Sequence, residues 1–354
     1  MLNKKIDFSS EHVLHFREEM RIELFLKKLR PVKYFEKSKE KTNEKKSSKL
    51  SKAVQITQRR FDNKSLEDCW MNSTLQMLLT GLDHLEECAD SGSSLWDILI
   101  GLKNENKEKA LNPLPVKKLL ILKENERVQA EHTISNLRLH VGQQDAKDFF
   151  VCLKQNQIHW PDVFNTFSVR MKSIAECRSC RHTSSQTNSN DFMFLEFSCP
   201  DSGTTMSTYL TEKMEHPEVI SEWRDEEGCG QRRGALLFNK IVNIAEAEFL
   251  IIMLRRLVDN GRGPIILRNS VPLGQEARLS DLQNKSALFK PLAVIFHIGD
   301  VEGKETYGHY KADVLNMDGN WFRTSDHMMP QKIQENEVSD QGYIYLYKKV
   351  RQYN

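Results

Sequence analysis

The order of hydrophobic patterns along the chain constrains its fold more than any other feature of the sequence. The first half is helical in character: leucines after Cys69 recur at helical spacing, and VGQQDAKDFFVCLKQ repeats the pattern. In the second half, FLIIMLRRL and PLAVIFHIG are short apolar runs between breakers, as buried strands are. Alternation on both sides of Asp318-Gly319 predicts a β-hairpin. Helices followed by antiparallel strands predict an α+β fold.

A basic segment separates this region from the start of the chain. Residues 30–60 carry eleven Lys or Arg and three Glu, a net charge of +8, whereas the whole chain has a formal charge of +2. This composition is typical of a flexible linker, and a nucleic-acid contact or nuclear-import patch is the alternative interpretation. Residues 1–29 are expected to form an N-terminal extension with a short helical pattern, and residues 61–349 the folded region.

The apolar runs and the cysteines bear on where the chain works. The longest apolar run, FLIIML, is far too short to span a bilayer, so no membrane partner is expected. The start, MLNKKIDFSS, has charged residues but lacks the apolar stretch of a secretory signal. The seven cysteines are therefore expected as thiols or metal ligands in a reducing compartment, the cytosol or the nucleus.

Cys69 stands where a thiol can act as a nucleophile. It occupies the first turn of its predicted helix, where free N–H groups and the helix dipole favour a negative charge. His309 follows a glycine just before an alternating strand, and Ser325 and Asp326 follow the strand after the hairpin turn. A tight turn would bring them back beside His309, so the sequence offers a thiol, a base and an orienting group.

Six segments in this order resemble motifs of the ubiquitin-specific proteases. CWMNSTLQMLL resembles the cysteine box, GQQDAKDFF the helix with Gln-Gln-Asp, and ECRSC the first half of the zinc ribbon. FLIIMLRRL resembles the strand that ends in Leu-x-Arg-Phe; GHYKADV with NWFRTSD resembles the histidine box, and GYIYLYK the final strand. The resemblance covers about Asn63 to Tyr347. It implies a papain-like cysteine protease fold with a helical thumb at about 61–160, and fingers and palm at about 161–349.

The resemblance implies a role for each residue of the catalytic set. Cys69 would attack the carbonyl of the ubiquitin C-terminal glycine, and His309 would be the base and then the acid. The third member of the family's set usually lies four residues after the tryptophan, a position that Ser325 holds here. Asp326 matches the acidic residue that follows in many members, so the orienting role is assigned to Asp326, with Ser325 as the second candidate.

A channel for the ubiquitin tail is also implied by the resemblance. Asp145 would meet an arginine of the tail through a charge-assisted hydrogen bond. Gln143 and Asp148 would line the same channel.

The segment before Cys69 departs from the family pattern, which places an oxyanion-donating asparagine five residues upstream. Here Lys64 holds that position, and Asn63, one residue earlier, is the oxyanion candidate. Loss of one such donor costs roughly 3–4 kcal/mol in a well-studied protease. Glu67 and Asp68 would in addition oppose ionisation of the thiol, so a weakened enzyme is expected unless Asn63 takes over the donor position.

The zinc ribbon is incomplete. Cys177 and Cys180 have the spacing of a zinc knuckle, whereas the second pair is reduced to Cys229, with Glu226 at the partner position. We expect fingers that fold without a metal, and no required cofactor. A structural zinc on the three thiols and the carboxylate is the alternative.

The sequence thus predicts a thiol-dependent deubiquitinase that acts on ubiquitin and ubiquitinated proteins. The altered residues before Cys69 and the serine at 325 leave a second interpretation open, a weak or inactive ubiquitin-binding scaffold. A third interpretation keeps the fold but makes the substrate another modifier such as SUMO.

Overall fold

A computed structural model of the chain describes the folded region in segments. The extension at 1–29 and almost all of the basic segment at 30–60 lie outside them, so these assignments and the domain boundaries stay predictions. The described ranges are 59–63, 67–85, 93–105, 109–131, 144–185, 190–221, 228–230, 234–259, 264–302 and 305–353.

Helices dominate the first part of the described chain. Three of them begin at side-chain caps, where the oxygens of Ser93, Asp145 and Thr205 accept hydrogen bonds from amides of the first helical turn. The described helices are α1 Cys69–Asp83, α2 Ser94–Asn104, α3 Leu114–Glu131, α4 Ala146–Gln155, α5 Pro161–Phe167 and α6 Met206–Glu215.

Strands dominate the remainder, and short 3-10 helices occur at Gln157–His159 and Glu335–Glu337. The described strands are β1 Val169–Cys177, β2 Thr183–Ser185, β3 Asn190–Phe192, β4 Leu195–Ser198, β5 Glu218–Ile220, β6 Ala235–Ile241, β7 Phe249–Arg255, β8 Leu257–Asp259, β9 Pro264–Ile266, β10 Ala277–Ser280, β11 Ser286–Glu302, β12 Glu305–Leu315, β13 Trp321–Thr324, β14 Gln331–Ile333 and β15 Gly342–Tyr353.

The strands form two main sheets. The larger has the order β14-β13-β12-β11-β15-β7-β4, with β10 beside β11, and the smaller has the order β2-β1-β6-β5, with β3 beside β1. Strands β8 and β9 pair separately. Pairing in the larger sheet is antiparallel except between β4 and β7, which run parallel, so the sheet is mixed where the sequence predicts antiparallel strands alone. The predicted α+β fold is confirmed. Helices α1 to α4 correspond to the predicted thumb, the larger sheet to the palm and the smaller sheet to the fingers, whereas α6 packs against β10 and β6.

Helix α1 lies at the centre of the molecule, against α2 and α4 on one side and against β11 and β12 on the other. Its leucine stripe predicts one buried face, yet every residue from Cys69 to Leu82 is buried. The polar side can be buried because the hydroxyls of Thr74 and Thr80 donate to backbone carbonyls one turn earlier in the helix. The first turn of this helix is consequently held against the palm sheet.

Candidate active site

The thiol of Cys69 begins helix α1 and is 1% exposed. Burial raises the pKa of Cys69, and the negative charge of Asp326 adds to that effect. Backbone N–H groups of Tyr310 and Trp70 face the sulfur and lower the pKa of Cys69 in part. The sulfur therefore lies against β12, beside the residue that follows His309. A buried thiol with a raised pKa needs a base before it can attack.

Strand β12 carries His309 directly after Gly308, at a position that only glycine can occupy. Gly308 has a φ of +152°, and a Cβ there would lie 2.3 Å from the carbonyl oxygen of Ile298 and 2.5 Å from the ring of His297. The close approach keeps β12 flush against β11, with His309 opposite Ile298 in the antiparallel register. The imidazole is half-buried, and burial lowers the pKa of His309, while the Asp326 carboxylate raises it. A largely neutral imidazole can accept a proton at neutral pH.

The hairpin predicted at Asp318-Gly319 brings the third group to the histidine. Gly319 takes a φ of +77° in the turn between β12 and β13, and the register pairs Ala312 with Thr324 at the far end. Ser325 follows directly, and its Oγ lies 2.8 Å from Nε2 of His309. This pairing leaves Nδ1 as the ring nitrogen available to take a proton from a thiol.

Asp326 lies behind this pair. Its nearest carboxylate oxygen is 3.8 Å from Nε2 of His309, beyond hydrogen-bond distance, and its side chain is 9% exposed. In this structure the hydrogen bond to the ring is therefore made by Ser325, the second candidate in the sequence analysis, and Asp326 acts on the ring by charge. Which of the two orients the imidazole during the reaction stays a prediction.

Asn63, the oxyanion candidate, connects the segment before the nucleophile to this cluster. Its Nδ2 donates to Asp326 at 2.9 Å, and its Oδ1 accepts from the backbone N–H of Asp68 at 3.1 Å. The Asp68 carboxylate, expected to oppose the thiolate, forms an ion pair with Lys117 at 2.5 Å. Lys117 thus offsets the nearest negative charge on the helix N-terminus. Lys64 lies outside the described residues, and the oxyanion role of Asn63 stays a prediction.

A cleft with a cavity of about 170 Å³ opens beside Tyr310, the residue that follows His309. Asp145 lines it, and its carboxylate accepts hydrogen bonds from the hydroxyls of Tyr343 at 3.0 Å and Tyr310 at 3.4 Å. Burial raises the pKa of Asp145. Burial and the neighbouring charge of Asp145 also raise the pKa of Asp148 to about 6. Gln143, expected in the same channel, lies outside the described residues.

Sequence reasoning missed several residues of this cleft. His297, Tyr310 and Tyr343 line the cavity with Asp145, and the His297 ring lies 4.9 Å from the ring of Tyr310. His297 and Tyr310 are paired across β11 and β12. The motif around His309 identifies strand β12. The pairing of β12 with the alternating residues of β11 is the signal that could have identified His297.

The three candidate metal ligands come together at the end of the fingers. The sulfurs of Cys177, Cys180 and Cys229 all lie within 4.8 Å of one another, and Cys177 and Cys229 are 3.8 Å apart. Two thiolates on a tetrahedral zinc, each at about 2.3 Å, are separated by about 3.8 Å. Backbone N–H groups of Cys180 and Ser179 lower the pKa of Cys177, which favours the thiolate that a metal needs. The donor set fits zinc, and Glu226 lies outside the described residues.

The alternative interpretation, a structural zinc, predicts about one zinc per chain in purified protein, because three preplaced thiolates supply most of a structural site. Elemental analysis of protein prepared without added metal measures this. Replacement of Cys177 with Ser should remove the metal and lower the melting temperature. Cys199→Ser changes a half-buried thiol outside the cluster, so this variant should retain the metal. Metal-free wild type that is insensitive to chelators would instead favour fingers that fold without zinc.

None of the described helices is both long and apolar enough to cross a membrane.

A helix that begins with a buried cysteine, set against a strand that carries a histidine, defines the chain as a protein with the papain-like cysteine protease fold. The ubiquitin carboxyl-terminal hydrolase family model matches residues 27–347, most of the chain. The chain belongs to this family. A comparison with curated protein sequences gave no match.

Solved structures of one assembly share this fold. The SAGA deubiquitinating module Ubp8/Sgf11/Sus1/Sgf73 bound to monoubiquitin has a TM-score of 0.62 and 19% identity, covering 85% of this chain and 70% of that one. The yeast module with a mutant Sgf73 has a TM-score of 0.61 and 19% identity, with 86% and 71% covered. The module bound to ubiquitin aldehyde has a TM-score of 0.61 and 19% identity, with 87% and 72% covered. At this identity the likeness establishes the fold.

Proposed function

We propose that the chain is a thiol-dependent deubiquitinase that hydrolyses the isopeptide bond after the C-terminal glycine of ubiquitin. The observation that carries the proposal is the meeting of Cys69, at the start of α1, with the β12 backbone beside His309, whose ring is hydrogen-bonded to Ser325. Cys69 and His309 are more than 200 positions apart in sequence. Their approach in the folded chain supports nucleophilic catalysis in a chain of this family.

The reaction follows from the placement of the two groups. Nδ1 of His309 takes the proton of the Cys69 thiol, and the thiolate attacks the glycine carbonyl. The imidazolium then gives its proton to the departing lysine amine, which leaves a thioester on Cys69. Water, deprotonated by the same imidazole, hydrolyses the thioester and releases the ubiquitin carboxylate. Zinc, if bound by Cys177, Cys180 and Cys229, would support the fingers and take no part in these steps.

A ubiquitin probe with a C-terminal electrophile tests the proposal. Covalent labelling of the wild type that is absent in Cys69→Ser is the expected result. An unlabelled wild type that still binds ubiquitin would establish the scaffold instead, an interpretation that the deep burial of the thiol and its raised pKa keep open. Parallel probes built on ubiquitin and SUMO decide the modifier, and preferential labelling by the SUMO probe would contradict the proposed substrate.

Tail recognition is proposed to depend on pH through Asp148. Above pH 6 this carboxylate is ionised and attracts an arginine of the tail; below pH 6 it takes up a proton and the attraction is lost. We expect KM for a ubiquitin C-terminal amide substrate to rise roughly tenfold between pH 7 and pH 5, since a hydrogen bond to a charged group contributes about 1.5 kcal/mol.

Substitution separates this effect from other titrations. Asp148→Asn should raise KM at pH 7 and flatten its dependence on pH, whereas Glu131→Gln, on an exposed carboxylate of α3, should leave both unchanged. The pKa of Asp148 is raised in the folded protein, so protonation of this group at low pH favours the fold, and unfolding through it cannot mimic the rise in KM. An unaltered pH dependence in Asp148→Asn would contradict the assignment.

The chain is proposed to work in the cytosol or the nucleus. The nucleic-acid contact through residues 30–60 remains a secondary proposal that rests on their net charge of +8. Binding that does not weaken as salt is raised would contradict it.

A further inference from the structure

Asn72 is a buried amide one helical turn after the nucleophile. Its side chain is on α1, is 2% exposed and lines a small cavity together with Asp326. Its Nδ2 donates to the carboxylate of Asp326 at 2.7 Å and to the backbone oxygen of Asp62 at 3.3 Å. The amide thus connects the helix that carries Cys69 to the loop that carries the acidic group, across 254 residues of sequence.

Asp326 depends on this connection for its position. It has a φ of +43°, a left-handed conformation that is uncommon for a residue other than glycine and costs free energy. Its backbone oxygen accepts from the N–H of Phe61, and its second carboxylate oxygen accepts from Asn63. A buried carboxylate must be hydrogen-bonded to remain ionised, and the amides of Asn63 and Asn72 supply those donors.

The position of Asp326 matters because it acts on His309 without a hydrogen bond. At 3.8 Å its influence is electrostatic and depends on distance. Besides the Cys69 thiol of the proposed reaction, the charged and titratable groups that face the imidazole are Asp326 from the loop, Lys311 from β12 and His297 from β11. Asp326 alone among these described groups stabilises the protonated imidazole that must form during the reaction.

The oxygen of the Asn72 amide indicates that packing alone does not explain why an asparagine occupies this position. Its Oδ1 is buried and accepts no hydrogen bond from any described residue. An unsatisfied buried acceptor costs about 1–3 kcal/mol, which an apolar side chain would avoid. Rotation of the amide would satisfy neither side, because it would turn Oδ1 toward the Asp326 carboxylate. The contacts of the donor side therefore set the orientation of this amide.

We propose that Asn72 is a positioning residue of the hydrolysis: it holds the Asp326 carboxylate at a fixed distance from His309 and so couples the nucleophile helix to the imidazole. The proposal rests on the proposed function. It adds a residue that touches neither substrate nor reacting atoms, and it assigns to Asp326 an electrostatic role that requires fixed geometry.

Asn72→Ala tests this with a matched control, Ser73→Ala, which removes a buried hydrogen bond to Trp70 from the same turn of α1. We expect kcat on a ubiquitin C-terminal amide to fall about 10- to 100-fold in Asn72→Ala, the range for loss of a residue that orients a catalytic group. KM should stay within about twofold, because the contact orients a catalytic group rather than the substrate. Should Asn72→Ala fail to fold, Asn72→Ser is measured in its place.

A double-mutant cycle separates positioning from general structural support. In an Asp326→Asn background there is no charge to hold, so Asn72→Ala should cost little more. A loss that adds in full to that of Asp326→Asn, or one no greater than that of Ser73→Ala, would overturn the inference.

Titration of His309 in the free protein, followed by NMR, gives a result that does not depend on ubiquitin. The pKa of His309 should fall in Asn72→Ala, because the carboxylate that raises it is no longer held in place, and should not change in Ser73→Ala. If the wild type neither turns over nor labels with the ubiquitin probe, the proposed function fails, while the titration still decides the role of Asn72. An unchanged His309 pKa with unchanged kcat refutes the positioning role alone.

Discussion

Replacement of His309 with Gln is expected to lower kcat/KM on a ubiquitin C-terminal amide by about 100- to 10,000-fold, the usual contribution of a positioned acid–base group. The thiol of Cys69 is 1% exposed and burial raises its pKa, so without a base it stays protonated at neutral pH. Glutamine keeps a hydrogen-bonding side chain but cannot carry the proton. Steady-state kinetics from pH 6 to 9 measure the loss, and labelling of Cys69 by the probe should slow in parallel.

His327→Gln is the matched control, because this exposed histidine follows Asp326 directly. It should retain wild-type turnover. Activity of His309→Gln within tenfold of wild type at pH 7 would mean that the thiol ionises without this imidazole, which would contradict the proposed mechanism. Ser325→Ala and Asp326→Asn, measured alongside, tell which of the two residues orients the ring. The 2.8 Å contact leads us to expect a measurable loss on removal of the Ser325 hydroxyl.

The sequence was most informative where a local pattern coincides with a long element. Helix α4 and strand β7 lie where the apolar periodicity predicts them, and the hairpin forms at Asp318-Gly319. Burial of the polar side of α1 was not predictable from its leucine stripe. It depends on β11 and β12 of the palm sheet, which begin more than 200 residues later in the chain. Periodicity reports the preference of a segment, whereas burial is decided by what packs against it.

The candidate site divides in the same way. Cys69 and His309 could be proposed as candidates because each is embedded in a local motif, and the hairpin predicts that Ser325 returns to the histidine. The roles of Asn63 and Asn72 could not be, since a hydrogen bond to Asp326 depends on side-chain geometry between segments distant in sequence. The same applies to the distances of Ser325 and Asp326 from the His309 ring, which differ by about an ångström.

Arg256→Leu is expected to lower the free energy of unfolding by about 3–5 kcal/mol, since a hydrogen bond to a charged group contributes about 1.5–3 kcal/mol and several are lost together. Arg256 is 6% exposed and lies directly after strand β7, where its guanidinium donates to backbone oxygens rather than to a carboxylate. Its acceptors are the backbone oxygens of Gly342 at 2.7 Å, Asn269 at 2.9 Å, Leu267 at 3.0 Å and Asp340 at 3.3 Å. Leucine fills much of the space but leaves these oxygens without that donor.

Urea denaturation compares this variant with Arg255→Leu. Arg255 is an exposed neighbour whose guanidinium donates to a serine hydroxyl at 3.1 Å, and its replacement should change the free energy of unfolding by less than about 1 kcal/mol. Arg256→Lys should fall between them, because one ammonium cannot reach all the oxygens. The held segment leads into Tyr343, which donates to Asp145, so Arg256→Leu that remains folded should also raise KM for the ubiquitin substrate. Equal unfolding free energies for Arg256→Leu and Arg255→Leu would show that the buried arginine does not support this wall of the cleft. Tail recognition would then depend on contacts local to Asp145.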